Sequence, residues 1–396
     1  MIDWLLAGLY SFSCALIVYH HAAYPLLLRW YAISHPSPHV EKSHRCYKEE
    51  QQDCALPTIT ILVPACNEEQ WIADKVRNLA SLDYPKKKLQ VVIACDGCTD
   101  NTVEIAQMTI QEAMCSDTYF EIHDHQVNRG KVATINDELT QIASDLTALS
   151  DVSALISLDA LLIAAAHFKS DKVGVVNATY QLYPTGNEGE NTYWQYQTTV
   201  KESEASFGSS LGSHGAFYLF RTHLFEPLPL NTINDDFILP MQIVKQGYIA
   251  EYETQMVALE LEETNLETDF KRRLRISAGN MQQAILLFGL FSPKFKGIAF
   301  TFFSGKGLRL LTPYLMIACL MCSILLRDYL VFEVLLWAQV AVYTIGVLGC
   351  ILPKRLINKP ISLVSYFIVG HYANFIGGIR YIIGLENSPW TRRANH

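Results

Sequence analysis

Carboxylates and cations recur along this chain at positions suited to a phosphorylated ligand. Glu68 and Glu69 follow one short apolar run, Asp96 and Asp100 follow a second, and Asp151 follows a third. Acids at the first two places can accept hydrogen bonds from a nucleotide's ribose and base. Asp151 can hold a divalent cation that neutralises a diphosphate, or it can cap a helix spanning Ala154–Phe168. Lys131, in Asn128-Arg129-Gly130-Lys131, opens a helix, where backbone N–H groups and one ammonium can meet a phosphate; the spacing of a Walker motif is absent. Asp235 and Asp236 stand together at another expected helix start. They are a candidate general base pair, because like charge beside like charge raises one pKa while the helix N-terminus lowers it again; the alternative is a double cap. Lys271, Arg272, Arg273 and Arg275 place cations on one expected helix, Phe270–Gln283, in an acidic chain. Arginine forks suit phosphate oxygens, and a membrane-surface role competes.

The elements that would position these groups follow from periodicity. Thr58–Val63 and Leu89–Ala94 are short apolar β-branched runs, and Ile72, Val76, Leu79 and Leu82 between them have helical spacing. Strand, helix and strand in succession form a parallel βαβ unit, which implies a covered α/β sheet with ligands beyond the carboxyl ends of its strands. Further helices are expected over Thr102–Met114, capped by Thr99 or Asp100, and over Val132–Ile142, Tyr193–Phe207 and Ile238–Gln246. Further strands are expected over Leu146–Leu149, Lys172–Tyr183 and Ala216–Phe220, with a turn at 184–190 and a small-residue loop, Gly208–Gly215, that lets backbone approach a ligand.

Half of the 396 residues are hydrophobic and 11% are aromatic, with a mean hydropathy of +0.14. This is too apolar for a wholly soluble chain, and the excess lies at both ends. A net charge of −8 gives no reason to expect nucleic acid as a partner. The ten cysteines make no disulfide framework. Cys95–Cys98 and Cys319–Cys322 have CxxC spacing, but a zinc shared between them would put one pair in lipid; free thiols suit a reducing cytosol. Trp4–Leu28 is long enough to cross a bilayer and lacks a basic leader, so residues 1–30 read as a retained anchor. His20 and His21 in it are expected to face an interface or other helices. Arg29, Lys42, Arg45 and Lys48 follow, which puts the N-terminus outside and the residues after Arg29 in the cytosol. Residues 31–56 read as a linker, 57–283 as the cytosolic domain and 284–307 as an amphipathic helix in the interface. Leu308–Leu326, Tyr329–Leu352 and Ile361–Leu385 are further apolar runs, before a tail at 386–396. Lys354, Arg355 and Lys359 make a cytosolic loop. A last crossing would put Arg392 and Arg393 outside, so that run either crosses against the charge rule or re-enters. His371, Asn374 and Gly377–Gly378 within it point to packing inside protein.

Taken in order, Pro64-Ala65-Cys66-Asn67-Glu68-Glu69, Asp96-Gly97-Cys98-Thr99-Asp100, Arg129-Gly130-Lys131, Ser150-Asp151, Gly215-Ala216, Asn234-Asp235-Asp236-Phe237 and Arg272-Arg273-Leu274-Arg275 make residues 57–285 resemble the family 2 glycosyltransferases. The resemblance is to the membrane branch with the cellulose, hyaluronan and poly-N-acetylglucosamine synthases. It implies a Rossmann-like GT-A domain with a mostly parallel sheet, joined to transmembrane helices. It also implies an inverting transfer from a UDP-sugar to a glycan or lipid-linked acceptor at a bacterial plasma membrane. Glu68 and Asp96 would bind uridine, lined by the backbone of Pro64, Ala65 and Cys66. Lys131 would lie near the base or phosphates, Asp151 would serve Mg²⁺ or Mn²⁺, and Asp236 beside Asp235 would deprotonate the acceptor. Arg272, Arg273 and above all Arg275 would hold the leaving pyrophosphate. The chain departs from the family pattern at Ser153, which replaces the second acid of D-x-D, and at Arg272 and Ile276, which replace the Gln and Trp of Q-x-x-R-W. Gly305 stands where relatives often have His. With Ser153, Asp151 acts with a water-bridged hydroxyl or with another group. Two products remain open: an extended cell-surface polysaccharide, or one sugar added to a lipid. An inactive scaffold rests on Ser153 alone, and Asp236 and Arg275 argue against it.

Overall fold

The computed structural model describes residues 1–36, 50–183, 188–262, 266–352 and 359–385. Lys42, Arg45, Lys48, the turn residues 184–187, Lys354, Arg355 and the tail with Arg392 and Arg393 lie outside the described residues. The chain divides into two compact units. One comprises Met1–Leu28 and the described residues of 265–387, the other the described residues of 29–264.

Helix α1 (Ile2–Val18) continues through a π turn, Tyr19–Ala23, into α2 (Tyr24–Ser34). Then follow β1 (Ile59–Ala65), α3 (Ile72–Ala80), β2 (Leu89–Asp96), α4 (Thr102–Thr109), β3 (Tyr119–His125), α5 (Lys131–Leu139), β4 (Leu146–Leu149), β5 (Ala154–Ile156), α6 (Ala160–His167), β6 (Val173–Leu182), α7 (Glu188–Ala205), β7 (Tyr218–Arg221), α8 (Asp235–Lys245) and β8 (Ile249–Glu260). The strands form one sheet in the order β3-β2-β1-β4-β7-β6-β8-β5. Strands β3, β2, β1 and β4 are parallel neighbours, and β6 is parallel to β8; β7 runs antiparallel to β4 and β6, as does β5 to β8. Every residue of β1 and β4 is buried. This is why both read as unbroken apolar runs: helices cover the two faces of a parallel sheet. The βαβ expectation is met, with Ile72, Val76 and Leu79 of α3 facing the sheet.

Two expectations are corrected, and two strands were missed. Ala154–Phe168 is not one helix. Its first residues form β5, paired with β8, and the helix starts only at Ala160. Strands β3 and β8 were not expected: β3 is an edge strand with no buried residue, and β8 carries polar residues on alternate positions. The stretch 284–307 is not one interface helix. Helix α9 (Leu266–Leu286) gives way to short 3₁₀ turns at Phe288–Phe291 and Pro293–Phe295, then α10 (Gly297–Thr301) and a π turn, Phe302–Gly307. Pro293, which cannot donate to a helical ladder, and Lys296 at φ +51° account for the breaks.

Helix α11 (Leu308–Leu325), α12 (Leu330–Ile351) and α13 (Lys359–Ile382) complete the chain. Among the described residues three helical stretches are long and apolar enough to cross a membrane: Ile2–Ser34, Gly297–Leu325 and Leu330–Gly349. Tyr10 of α1 packs with Cys319 and Cys322 of α11. Gly377 lets α13 lie directly on α9: a Cβ there would come within 2.7 Å of the Leu274 carbonyl and 2.8 Å of the Ala278 nitrogen. His371 and Asn374 are buried, so α13 does pack within protein.

Candidate active site

Because β1, β2 and β4 run parallel, the loops after Ala65, Asp96 and Leu149 emerge on one edge of the sheet. β7 is antiparallel with Tyr218 opposite Leu149, so the residues before Tyr218 reach the same edge. The Asp151 N–H donates to the Gly215 carbonyl (3.2 Å), and the Gly215 N–H donates to Asp236 Oδ2 (3.2 Å). Asp236 stands in the first turn of α8, whose start is wrapped by the Gly212–Gly215 loop: the Ser213 N–H donates to the Asp236 carbonyl at 2.9 Å.

Lys131 brings these acids together. Its Nζ donates to Asp151 Oδ1 at 2.8 Å and lies 3.6 Å from Asp235 Oδ2. Burial opposes its charge, but Asp151 and Asp235 outweigh that and raise its pKa. Burial would likewise raise the Asp151 pKa, and the Lys131 ammonium more than reverses it. Asp236 goes the other way. Burial, then the neighbouring Asp235 charge, raises its pKa to about 6, with Lys131 and Lys201 pulling against them.

Asp96 ends β2 and is engaged by the start of α5. Its carboxylate accepts the Arg129 N–H at 2.9 Å and the Gly130 N–H at 2.8 Å, and it is 1% exposed. Two backbone donors just before α5, those of Arg129 and Gly130, are thus held by Asp96, which fixes the start of the helix that carries Lys131. Gly97 makes this approach possible: it sits at φ +61°, and a Cβ there would fall 2.3 Å from the Asn128 nitrogen. Asn128 Nδ2 reaches the Cys66 sulfur (3.2 Å). Pro64, Ala65 and Glu68 are buried at the end of β1. The remaining polar residues of the first two loops bond to one another. Asn67 Oδ1 accepts the Thr99 N–H, Glu69 Oε2 accepts from Asn101, and the Glu69 N–H donates to Asp100. Asp100 also accepts the Thr102 N–H at 3.0 Å, although the cap position of α4 is Asn101, whose side chain makes no cap hydrogen bond.

Arg272, Arg273 and Arg275 lie on α9, in the other compact unit. Arg272 and Arg275 are exposed, and Arg273 stacks over the Tyr366 ring at 4.7 Å.

Two features, Lys75 and Tyr218, escaped the sequence reading, and a third sets aromatic rings beside the small-residue loop. Lys75 of α3 is wholly buried, and its Nζ donates to Ser150 Oγ (2.6 Å) and the Ala154 carbonyl (2.5 Å). Ser150 Oγ also reaches the Ala216 carbonyl at 2.7 Å. One ammonium thus brackets the turn carrying Asp151 and Ser153 and ties it to the strand after Gly215. Burial lowers the Lys75 pKa to about 7. The Tyr218 hydroxyl is buried and has no hydrogen-bond partner among the described residues; burial, then Asp235, Asp236 and Asp151, push its pKa up. His214, one residue before Gly215, stacks on Tyr180 (3.8 Å between centroids), and Trp194 meets both rings.

Among the described residues no three His, Cys, Asp or Glu side chains gather as metal ligands, so a hard divalent cation here would rest chiefly on Asp151 and on groups from outside the protein. Such ions take one or two carboxylates and complete their shell with water and substrate phosphate. Asp151 is about one-third exposed, and its Oδ2 turns toward Gly215, away from the oxygen that Lys131 holds.

The family described as "Glycosyltransferase like family 2" matches residues 57–279. Poly-beta-1,6-N-acetyl-D-glucosamine synthase of Staphylococcus aureus is 27% identical over 245 residues, 60% of this chain and 57% of that one; this chain therefore matches little more than half of that relative's length. Beta-monoglucosyldiacylglycerol synthase of Trichormus variabilis is 33% identical over 170 residues, 39% of this chain and 35% of its own. Among solved structures, a mannosyltransferase from Pyrobaculum calidifontis, in complex with GDP-Man and Mn²⁺, covers 94% of this chain and 99% of its own at a TM-score of 0.71 and 19% identity, which is a likeness of fold.

Proposed function

The chain belongs to glycosyltransferase family 2, and we propose that it moves one sugar at a time from a UDP-sugar to a growing cell-surface glycan, inverting the anomeric carbon. It is a glycosyltransferase and a membrane protein; donor, acceptor and stereochemistry are the proposal. The observation that carries it is the pairing of Asp236, a carboxylate with a pKa of about 6 held by the Gly215 N–H, with the Lys131–Asp151 pair beside it. One side of the cluster can take a proton near neutral pH; the other can meet a diphosphate.

In this mechanism Asp236 accepts the proton of the attacking hydroxyl as its oxygen closes on the anomeric carbon and the bond to UDP breaks on the opposite face. Asp235 keeps the proton affinity of Asp236 high. Asp151, with the hydroxyl of Ser153, would hold Mg²⁺ or Mn²⁺, which when bound neutralises the charge gathering on the leaving diphosphate. Lys131 supplies a fixed positive charge there. The Tyr180, Trp194 and His214 rings would give the acceptor sugar an aromatic wall, a role open to Trp194 because Ile276 replaces the family's tryptophan. The catalytic unit would face the cytosol of a bacterial cell.

A second reading, one sugar added to a lipid, is favoured by Ile276 and by the likeness to the diacylglycerol-glucosylating relative. The test is UDP release by the purified protein in nanodiscs across a panel of UDP-sugars, with Mn²⁺, Mg²⁺ or EDTA, followed by product mass. A ladder of masses supports the polymer, a single addition the lipid product. Release with no donor, in the presence of lipid and glycan acceptors, would refute the UDP-sugar assignment.

A further inference from the structure

The unit that carries the apolar helices contains a polar cluster that glycosyl transfer leaves unused. His20 and His21 lie in the π turn Tyr19–Ala23, and Ser304 lies in the π turn Phe302–Gly307. A π turn releases a carbonyl from the regular helical ladder, and such turns concentrate at functional sites. Here the two turns meet. His20 Nδ1 lies 2.8 Å from the Ser304 carbonyl oxygen, and the Tyr19 hydroxyl lies 2.9 Å from Ser304 Oγ. The His21 ring packs edge-on against His20 (4.6 Å) and against His371 of α13 (5.2 Å). Arg309, in the first turn of α11, acts electrostatically on all three imidazoles, and among the described residues no carboxylate does.

The cluster has an open side and a closed side. His21 and Arg309 are exposed, while His371 and Asn374 are 8% and 5% exposed. Asn374 Nδ2 donates to the Arg309 carbonyl at 2.9 Å and so anchors α13 to the start of α11. His371 Nδ1 and Asn374 Oδ1 are buried with no hydrogen-bond partner among the described residues. Unpartnered buried polar atoms are few in native proteins. Ionisable side chains within membrane helices are rare and mark ligand or ion paths. The Arg309 guanidinium, with no facing carboxylate among the described residues, disfavours a cation and suits an anion, to which imidazole N–H groups can donate. The guanidinium fork matches phosphate oxygens in particular.

We propose that this cluster binds the phosphate group of a membrane lipid, with Arg309 and His21 gripping its oxygens from the exposed side and His371 supplying a ring nitrogen from the buried side. The lipid is either a bulk anionic phospholipid or a polyprenyl phosphate. The site stands whichever sugar the catalytic unit transfers, so its failure would leave the donor assignment untouched.

The test is native mass spectrometry of the full chain in detergent, titrated separately with phosphatidylglycerol, polyprenyl phosphate and phosphate-free diacylglycerol. At least one phosphate-bearing lipid should bind about tenfold more tightly than diacylglycerol, and Arg309→Gln should erase that preference. His21→Phe keeps an aromatic ring against Phe367 and His371 and should weaken it too. This second variant keeps the question answerable if Arg309→Gln fails to fold. Selective retention of polyprenyl phosphate would identify a lipid that can serve as acceptor, and equal retention of both would identify bulk phospholipid. Diacylglycerol binding as tightly as the phosphate-bearing lipids, or an undiminished preference in the variants, would overturn the site.

Discussion

Asp236 can accept a proton only when ionised, and burial beside Asp235 lifts its pKa to about 6. As the base, it should make turnover fall about tenfold for each pH unit below 6; a pH–rate profile that stays flat to pH 5 would remove it from that role. The same shift bears on stability. The folded carboxyl holds its proton up to about pH 6, against 3.8 ordinarily, so the fold loses stability as pH rises through that window, and the cost is fully present above it. Asp236→Asn should therefore abolish UDP release yet raise the thermal midpoint at pH 7, with the gain disappearing near pH 4. Lys75 acts at one remove, through the turn it brackets. Lys75→Met should lower turnover about tenfold or more, because small displacements of reacting groups are costly. It should also raise the Mn²⁺ concentration for half-maximal rate, which a loss of general stability alone would not do. Acids and cations at strand ends and helix starts, such as Asp151, Lys131 and the Asp235–Asp236 pair, are legible as chemistry because they recur in order along the chain, even though a helix cap alone could account for some of them. Lys75 is not, because it occupies an inward position in the apolar stripe of α3, and its partners Ser150 and Ala154 are remote in sequence. The one available signal was a lysine spaced three residues from Ile72 and four from Leu79.

The elements divide along the same line of burial. β1, β2 and β4 are covered on both faces and show themselves as apolar runs. β3, at the sheet edge, alternates Phe120 and Ile122 with charged and histidine side chains and has no buried residue to mark it. β5 has only Ala154, Leu155 and Ile156, and its partner β8 is far along the chain; nothing local separates it from the start of a helix. The loop before β7 is where element geometry meets chemistry. Gly215 joins Asp151 to Asp236 through its own backbone, and a Cβ there would lie 2.8 Å from Asp151 Oδ2. Gly215→Ala should push that carboxylate aside and reduce turnover by at least about tenfold. The thermal midpoint should barely move, since the displaced atom ends a side chain that can turn toward solvent. Comparable loss of midpoint and rate would instead mean that the glycine serves the fold alone.

At the scale of the molecule, apolar composition at the two ends announces the membrane helices, while charge places the middle of the chain outside lipid. The first helical stretch, Ile2–Ser34, has Asp3 at its start and no Lys or Arg before Arg29, and Lys42, Arg45 and Lys48 follow. Basic residues are retained on the cytosolic side during insertion, and a UDP-sugar donor is of use only if the catalytic unit lies where such donors are made. Both arguments demand the same orientation, so one experiment bears on both. Cys54 precedes β1 and is the exposed cysteine among the described residues. A membrane-impermeant maleimide should leave Cys54 unlabelled in intact cells and label it after permeabilisation, and Cys54→Ser should remove that signal. Labelling in intact cells would put the catalytic unit outside. The charge rule would then have failed for this chain, and a donor available outside the cell would have to replace UDP-sugar in the mechanism. Asp236, Lys131 and Asp151 would keep their geometry, since it depends on the sheet and not on the side of the membrane it faces.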